Sequence, residues 1–351
     1  MGASEPEAKD HGLAILHFPP ATFSNIAEDF IGVSNVMLGR PHAGRTLWIR
    51  GGLVHTIFLR FPADSAVITL AAAISVAIAV TFPDRPASAQ TKIEPKLDIS
   101  RKLNLASRQA MLSQLMAKAS CFTTLGADAT TQLNELRFAH HLFDETLLET
   151  RSGSILQNTR PVVDEDIVPL LDDIDVLWEK YGPAVLARDE ATVASLDSAL
   201  LGKLIEIVAR FEKKYGEIAP GSAEISAGLN VSRHQRVLTQ KASKEFCFVA
   251  ANIDPAGNRD RLKATMALLK TTWRSLSTGN PSLGLTPAPV GEIDDQIARV
   301  NALWARLGPI FLGAADGAAP SPEETAEAAR QTAEVMHATN LVVQLYEVIG
   351  E

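Results

Sequence analysis

The chain has 351 residues, enough for two domains with sizeable cores, and its net charge of −8 argues against a nucleic-acid partner. Few aromatics and many Ala, Leu and Glu point to a helical protein. Two cysteines exclude a disulfide-dense scaffold, and neither a Cys-x-x-Cys-His haem attachment nor a Gly-rich phosphate loop occurs, so no cofactor is expected.

Residues 1–36 lack sustained periodicity. From Met37 the character changes: Arg40, Arg45, Arg50 and Arg60 appear with no acid before Asp64. An unbroken apolar run, Ala66–Phe82, follows, and then Pro83, Pro86 and Ala87-Ser-Ala89. A basic region, an apolar core and an Ala-x-Ala site make a secretory signal. The expected organisation is a leader over 1–62, a signal peptide over 63–89 and cleavage after Ala89 into the periplasm. The length of the leader suggests a start codon assigned too early. The alternative is an uncleaved membrane anchor, for which the run is barely long enough.

Beyond residue 98 the pattern turns helical and repeats. Asn104-Leu-Ala-Ser-Arg-Gln-Ala-Met-Leu-Ser-Gln-Leu-Met-Ala-Lys118 returns as Asn230-Val-Ser-Arg-His-Gln-Arg-Val-Leu-Thr-Gln-Lys-Ala-Ser-Lys244, an offset of 126 residues. Cys121-Phe122 maps onto Cys247-Phe248, Leu177-Trp178 onto Leu303-Trp304 and Gly182-Pro183 onto Gly308-Pro309 at the same offset. A register held this long, through rare residue types, marks one module written twice, over 98–218 and 222–351. The first module predicts helices over Ser100–Leu125, Ala129–Thr150, Asp164–Tyr181 and Asp189–Tyr215, the third stopped by Gly182-Pro183. Asp164, Glu165 and Asp166 suit the first turn of that third helix. The second module predicts helices over Glu224–Asn252, Asn258–Leu276, Gly291–Leu307 and Ser321–Ile349, with Ser321 and Glu324 as a capping box. The fold class is therefore all-α: two tandem antiparallel four-helix bundles. No apolar run follows Ile349, so the chain is expected to act through a separate membrane partner.

The first copy of the motif resembles the start of the PilJ-type sensor module of type IV pilus chemotaxis transducers, which is related to the nitrate sensor kinases. Asn104, Ala106, Arg108, Gln109, Met111, Leu112, Ser113, Gln114, Met116, Ala117 and Lys118 match that signature. Ser107, Ala110 and Leu115 depart from its Gly, Arg and Arg. The second copy keeps Asn230, Gln235, Arg236, Leu238, Gln240 and Lys244, with Thr239 for Ser. The resemblance implies a four-helix sensing module for a small ligand, with nitrate or nitrite as precedent. It also implies a homodimer-like meeting of two motif helices, with the anion held between one arginine from each.

In an up-down-up-down bundle the fourth helix ends where the first began. The two motif helices of the tandem can thus run parallel about a pseudo-two-fold axis, as a covalent pseudo-dimer. Arg236 then occupies the implied anion position and Ala110 its counterpart. Arg108, Arg233 or His234 could compensate, although helical geometry points them elsewhere. The candidate ligand residues are Arg236, Arg108, Asn104, Asn230, Gln109 and Gln235. The two asparagines are equally explained as helix-terminal or interhelical hydrogen-bond groups. Cys121 and Cys247 lie three turns beyond Ala110 and Arg236 on the same faces. They are either a disulfide across the axis or two small buried hydrophobes.

The Met and Leu stripe reads as core and Trp178 and Trp304 as core anchors. His140 and His141 diverge by 100° and make a poor metal pair, and no metal site is expected. No nucleophile–base arrangement points to an enzyme. Two functions remain: an exported periplasmic sensor for a small anion such as nitrate or nitrite, or a structural adaptor whose modules are only helical docking surfaces.

Overall fold

The computed structural model describes residues 95–350 apart from Gln157 and residues 216–221. The leader, the signal peptide and the cleavage after Ala89 lie outside the described residues. Among those described, eight α-helices carry almost the whole chain. They are α1 (Pro95–Thr124), α2 (Ala129–Ser152), α3 (Val168–Ala187), α4 (Glu190–Tyr215), α5 (Ala223–Ala250), α6 (Pro255–Thr278), α7 (Gly291–Ala315) and α8 (Pro322–Gly350). Short connections force neighbours to run antiparallel. In the first bundle α1 packs on α2 and α4, and α3 closes the ring; α5, α6, α8 and α7 repeat this in the second.

The bundles meet through their first helices. Arg233 Nη2 donates to Ser100 O at 3.5 Å, Arg236 Nη2 to Asn104 Oδ1 at 3.0 Å and Lys244 Nζ to Gln114 Oε1 at 2.8 Å. Further along, Cys121 and Cys247 are disulfide-bonded, with their Cα atoms 6.2 Å apart. Both residue numbers rise together along these contacts, so α1 and α5 run parallel.

The duplication reaches into the connections. Asn280 of β1 (Gly279–Asn280) pairs with Leu285 of β2 (Leu285–Pro287), and Ser154 pairs with Thr159 in an isolated bridge at the same 126-residue offset. Each turn opens on a glycine at the end of the bundle's second helix, Gly153 at φ +76° and Gly279 at φ +82°. A side chain at Gly153 would meet the backbone nitrogen of Pro161 at 2.7 Å, so the position excludes one on both counts. Gly228 serves a different purpose: it lets α5 approach the ring of Tyr346 on α8.

Three expectations from the sequence are corrected. Gly182-Pro183 and Gly308-Pro309 do not end helices; α3 and α7 run on through Pro183 and Pro309. A proline removes one backbone hydrogen bond, but Val185 and Phe311 beyond it are fully buried, and that packing carries the helix onward. Asp164, Glu165 and Asp166 precede α3 rather than forming its first turn, and Lys214 of α4 pairs with Asp164 and Asp166. Trp178 and Trp304 are half-buried rather than core, and Trp178 covers Phe143 at 4.2 Å and donates to Asp144. The large indole of the core is Trp273. The capping box forms: Ser321 N donates to Glu324 Oε2 and Glu324 N to Ser321 Oγ.

The disulfide closes a loop of 126 residues between the bundles. In the chain-entropy picture such a closure is worth about 4–5 kcal/mol. The Cys121→Ser/Cys247→Ser double variant should lose stability of that order in urea unfolding, matched by reduction of the wild type. Non-reducing peptide mapping should recover the Cys121–Cys247 cross-linked peptide; two free thiols in native protein would contradict the bond.

Candidate functional site at the motif-helix seam

Every residue of α1 from Leu105 to Thr123 is buried, and α5 is buried from Gln235 to Gln240 and from Ala242 to Val249. A helix flanked by α2, α4 and α5 has no solvent face left, so its polar residues must be satisfied inside the protein. They fall into two levels along the α1–α5 seam.

The level nearer the disulfide is closed as to charge, although Thr239 Oγ1 and Gln240 Oε1 have no hydrogen-bond partner among the described residues. Lys118 Nζ donates to Glu135 of α2 at 2.7 Å. Gln114 Nε2 donates to Asp197 of α4 at 2.8 Å, and Lys244 reaches from α5 to pair with the same Asp197. Ser113 Oγ donates to Ala110 O, and the Ser113 carbonyl accepts from Tyr181 Oη at 2.9 Å. Burial, with Asp197 and Glu190 behind it, pushes the Tyr181 hydroxyl well above its ordinary value, keeping it a donor. Much of what makes the motif recognisable is thus absorbed in bracing the core. Sequence reasoning missed Glu135 and Asp197, although Asp197 carried a signal. It lies four residues after Val193 and three before Leu200, both fully buried, and so on the apolar face of α4.

The level nearer the start of the motif holds an excess of positive charge. Arg108, Arg233 and Arg236 are all buried. Arg233 Nη2 pairs with Glu347 of α8 at 3.1 Å, and Arg236 reaches only the neutral Asn104 amide. Arg108 forms no ion pair among the described residues, and the Nε atoms of Arg233 and Arg236 have no hydrogen-bond partner. Desolvation depresses the pKa of each guanidinium, and Glu347 is the main countering charge for all three. Arg108 and Arg233 each add to the depression at Arg236, so the three share one electrostatic environment. A guanidinium stays charged even here. The shifts therefore express the free energy of confining cations where only one carboxylate, Glu347, is ion-paired among the described residues and is itself 29% exposed, with Glu149 and Glu212 as lesser countering charges.

This corrects the expectation that helical geometry turns Arg108 and Arg233 away. Arg233 and Arg236 are three residues apart and share a face, and Arg108 feels the Arg233 charge and adds its own at Arg236. The other candidates separate. Gln235 turns to Thr272 on α6, within its own bundle. Gln109 is fully buried, with neither amide atom hydrogen-bonded. Asn104 and Asn230 lie well inside α1 and α5, so neither is a helix cap. Asn104 accepts from Arg236, whereas Asn230 lines a cavity beside Ala110.

The Lys244–Asp197 pair offers a test of the closed level, because removing one partner strands the other charge. Asp197→Ala should destabilise the protein by about 3–5 kcal/mol in urea unfolding, whereas the Lys244→Met/Asp197→Leu double variant should recover most of the loss.

The family profile described as type IV pili methyl-accepting chemotaxis transducer N-term, PilJ, matches residues 98–201 and again residues 222–335. No curated protein matches the chain. With two tandem matches that together span more than half of its length and begin near the start of α1 and at the start of α5, the chain belongs to the PilJ family of transducer sensor modules.

Proposed function

We propose that the protein is an exported, periplasmic sensor that binds a small anion such as nitrate or nitrite at the α1–α5 seam and passes its response to a separate membrane transducer. The observation that carries this reading is the charge imbalance: among the described residues, only Arg233 of the three buried guanidiniums has an ion-paired carboxylate, Glu347, while Glu149 and Glu212 act on Arg108 and Arg233 without an ion pair and Arg236 has Glu347 alone as a countering charge. An entering anion supplies the missing counter-charge to Arg236 and Arg108, through charge-assisted hydrogen bonds inside a water-poor interface. A disulfide between the motif helices fits an oxidising compartment. It ties α5 to α1 eleven residues past Arg236, about 16 Å along the helix. The seam is therefore free to adjust at its arginine end while its far end is held, and the relative tilt of the bundles becomes the output.

The adaptor reading draws on a different observation. Ile155, Leu156 and Val163 are large apolar residues left exposed in the α2–α3 connection, a feature of docking surfaces. The two readings part on Arg236→Met. In the sensor reading Arg236 is an under-neutralised cation, so its replacement by a flexible apolar chain should leave the unliganded melting temperature unchanged or raised. The same variant should remove the stabilisation that nitrate or nitrite gives the wild type, with a loss of affinity of about one to two decades. An anion-induced shift that survives in Arg236→Met, or none in the wild type, favours the adaptor.

A further inference from the structure

A cavity of about 300 Å³ opens between α1, α4, α5 and the start of α6's following hairpin, at the lower end of the size range of ligand pockets. Ala110 is in its wall, and the cavity occupies the pseudo-symmetric counterpart of the space into which Arg236 reaches. Arg236 spans the seam to Asn104; on the other side, Ala110 is too short to span, and Asn230, the counterpart of Asn104, faces the cavity with no hydrogen bond among the described residues. Leu103, Val208, Val231 and Val237 make its walls apolar. Ile205 and the hairpin residue Leu283 also line it while remaining 39% and 43% exposed, which places its mouth at the surface.

Two opposite charges line this mostly apolar space. Arg233 is 4% exposed and its buried Nε has no partner. Glu212 of α4 is half-buried and feels the Arg233 charge, yet the two form no ion pair among the described residues. Burial also raises the Glu212 pKa, as expected for a carboxylate with no counter-charge in contact. A simple anion would meet Arg233 but be repelled by Glu212, and a simple cation would suffer the reverse. A molecule that carries both charged groups on one carbon, with an aliphatic tail, satisfies both groups and the walls while adding no net charge. We propose that the Ala110 cavity binds a zwitterionic aliphatic α-amino acid, its carboxylate on Arg233 and Asn230, its ammonium on Glu212, and its side chain against Val208 and Val231. This site goes beyond the anion reading and does not depend on it, because Arg236 does not line the cavity.

The test is isothermal titration of the full oxidised protein with L-leucine, isovalerate, isopentylamine and glycine. L-Leucine should bind saturably with one site per chain, and the other three, each lacking one recognition element, should bind about tenfold more weakly or worse. Glu212→Gln and the cavity-filling Ala110→Phe should each weaken L-leucine by about tenfold or more, while Arg236→Met, which removes the proposed nitrate response, should still bind L-leucine saturably, so that the two sites fail separately. Should Ala110→Phe fail to fold, Glu212→Gln decides alone. The proposal is overturned by absence of saturable L-leucine binding up to about 10 mM. It is also overturned if isovalerate or glycine binds as well as L-leucine, or if binding survives intact in Glu212→Gln.

Discussion

The parallel contact between α1 and α5 is the constraint on which the rest of the structure depends. Each helix is already enclosed by two neighbours in its own bundle, and their mutual packing removes the last route to water. The lysines, arginines and glutamines of the two motifs are then confined to partners within the protein, and Gln109 has none among the described residues. This explains why carboxylates lie at unusual depth on the surrounding helices: Glu135 and Asp197 are both buried, each on a motif lysine. Asp197 belongs to the first bundle and Lys244 to the second, so one pair braces the bundles as well as neutralising a charge.

The tandem arrangement makes the seam asymmetric in a way a true homodimer cannot be. A dimer of identical chains must present the same residue on both sides of its axis. Covalent duplication releases each half to change separately. Here one side holds Arg236, bonded to Asn104, and the other holds Ala110, with an unbonded Asn230 beside an apolar cavity. Arg233 stands at the junction, paired with Glu347 on α8 and exposed to Glu212 on α4. Charge on one side of the seam is consequently felt on the other.

The contrast between the closed and open levels has a physical basis in side-chain reach. Lysine carries a compact charge that one carboxylate can neutralise, and both buried motif lysines have one. Arginine presents five donors in a rigid plane, and three such planes cannot all be satisfied by Glu347, the Asn104 amide and the Ser100 carbonyl. The lysine level is ion-paired, and the arginine level is left under-neutralised. The disulfide, beyond the lysines, reinforces the lysine end.

The duplication, the helical class and the bundle count were legible from the chain alone, because a 126-residue register and 3.6-residue periodicity are properties of the sequence itself, whereas Arg236 was singled out only through the family resemblance. The capping box at Ser321 was legible for the same reason. Gly182-Pro183 misled because the local signal for a helix end was opposed by burial of Val185, a contact made with distant residues. The partners of the buried charges were also hidden. Nothing adjacent to Lys244 indicates Asp197, 47 residues earlier, and nothing adjacent to Arg233 indicates Glu347, 114 residues later. Periodicity fixes the direction in which a side chain leaves its helix, but the end of a long arginine or lysine goes where packing leaves a partner. Only the tertiary structure could therefore bring Arg108, Arg233 and Arg236 under the common influence of Glu347, and open at Ala110 the space that an arginine fills on the other side.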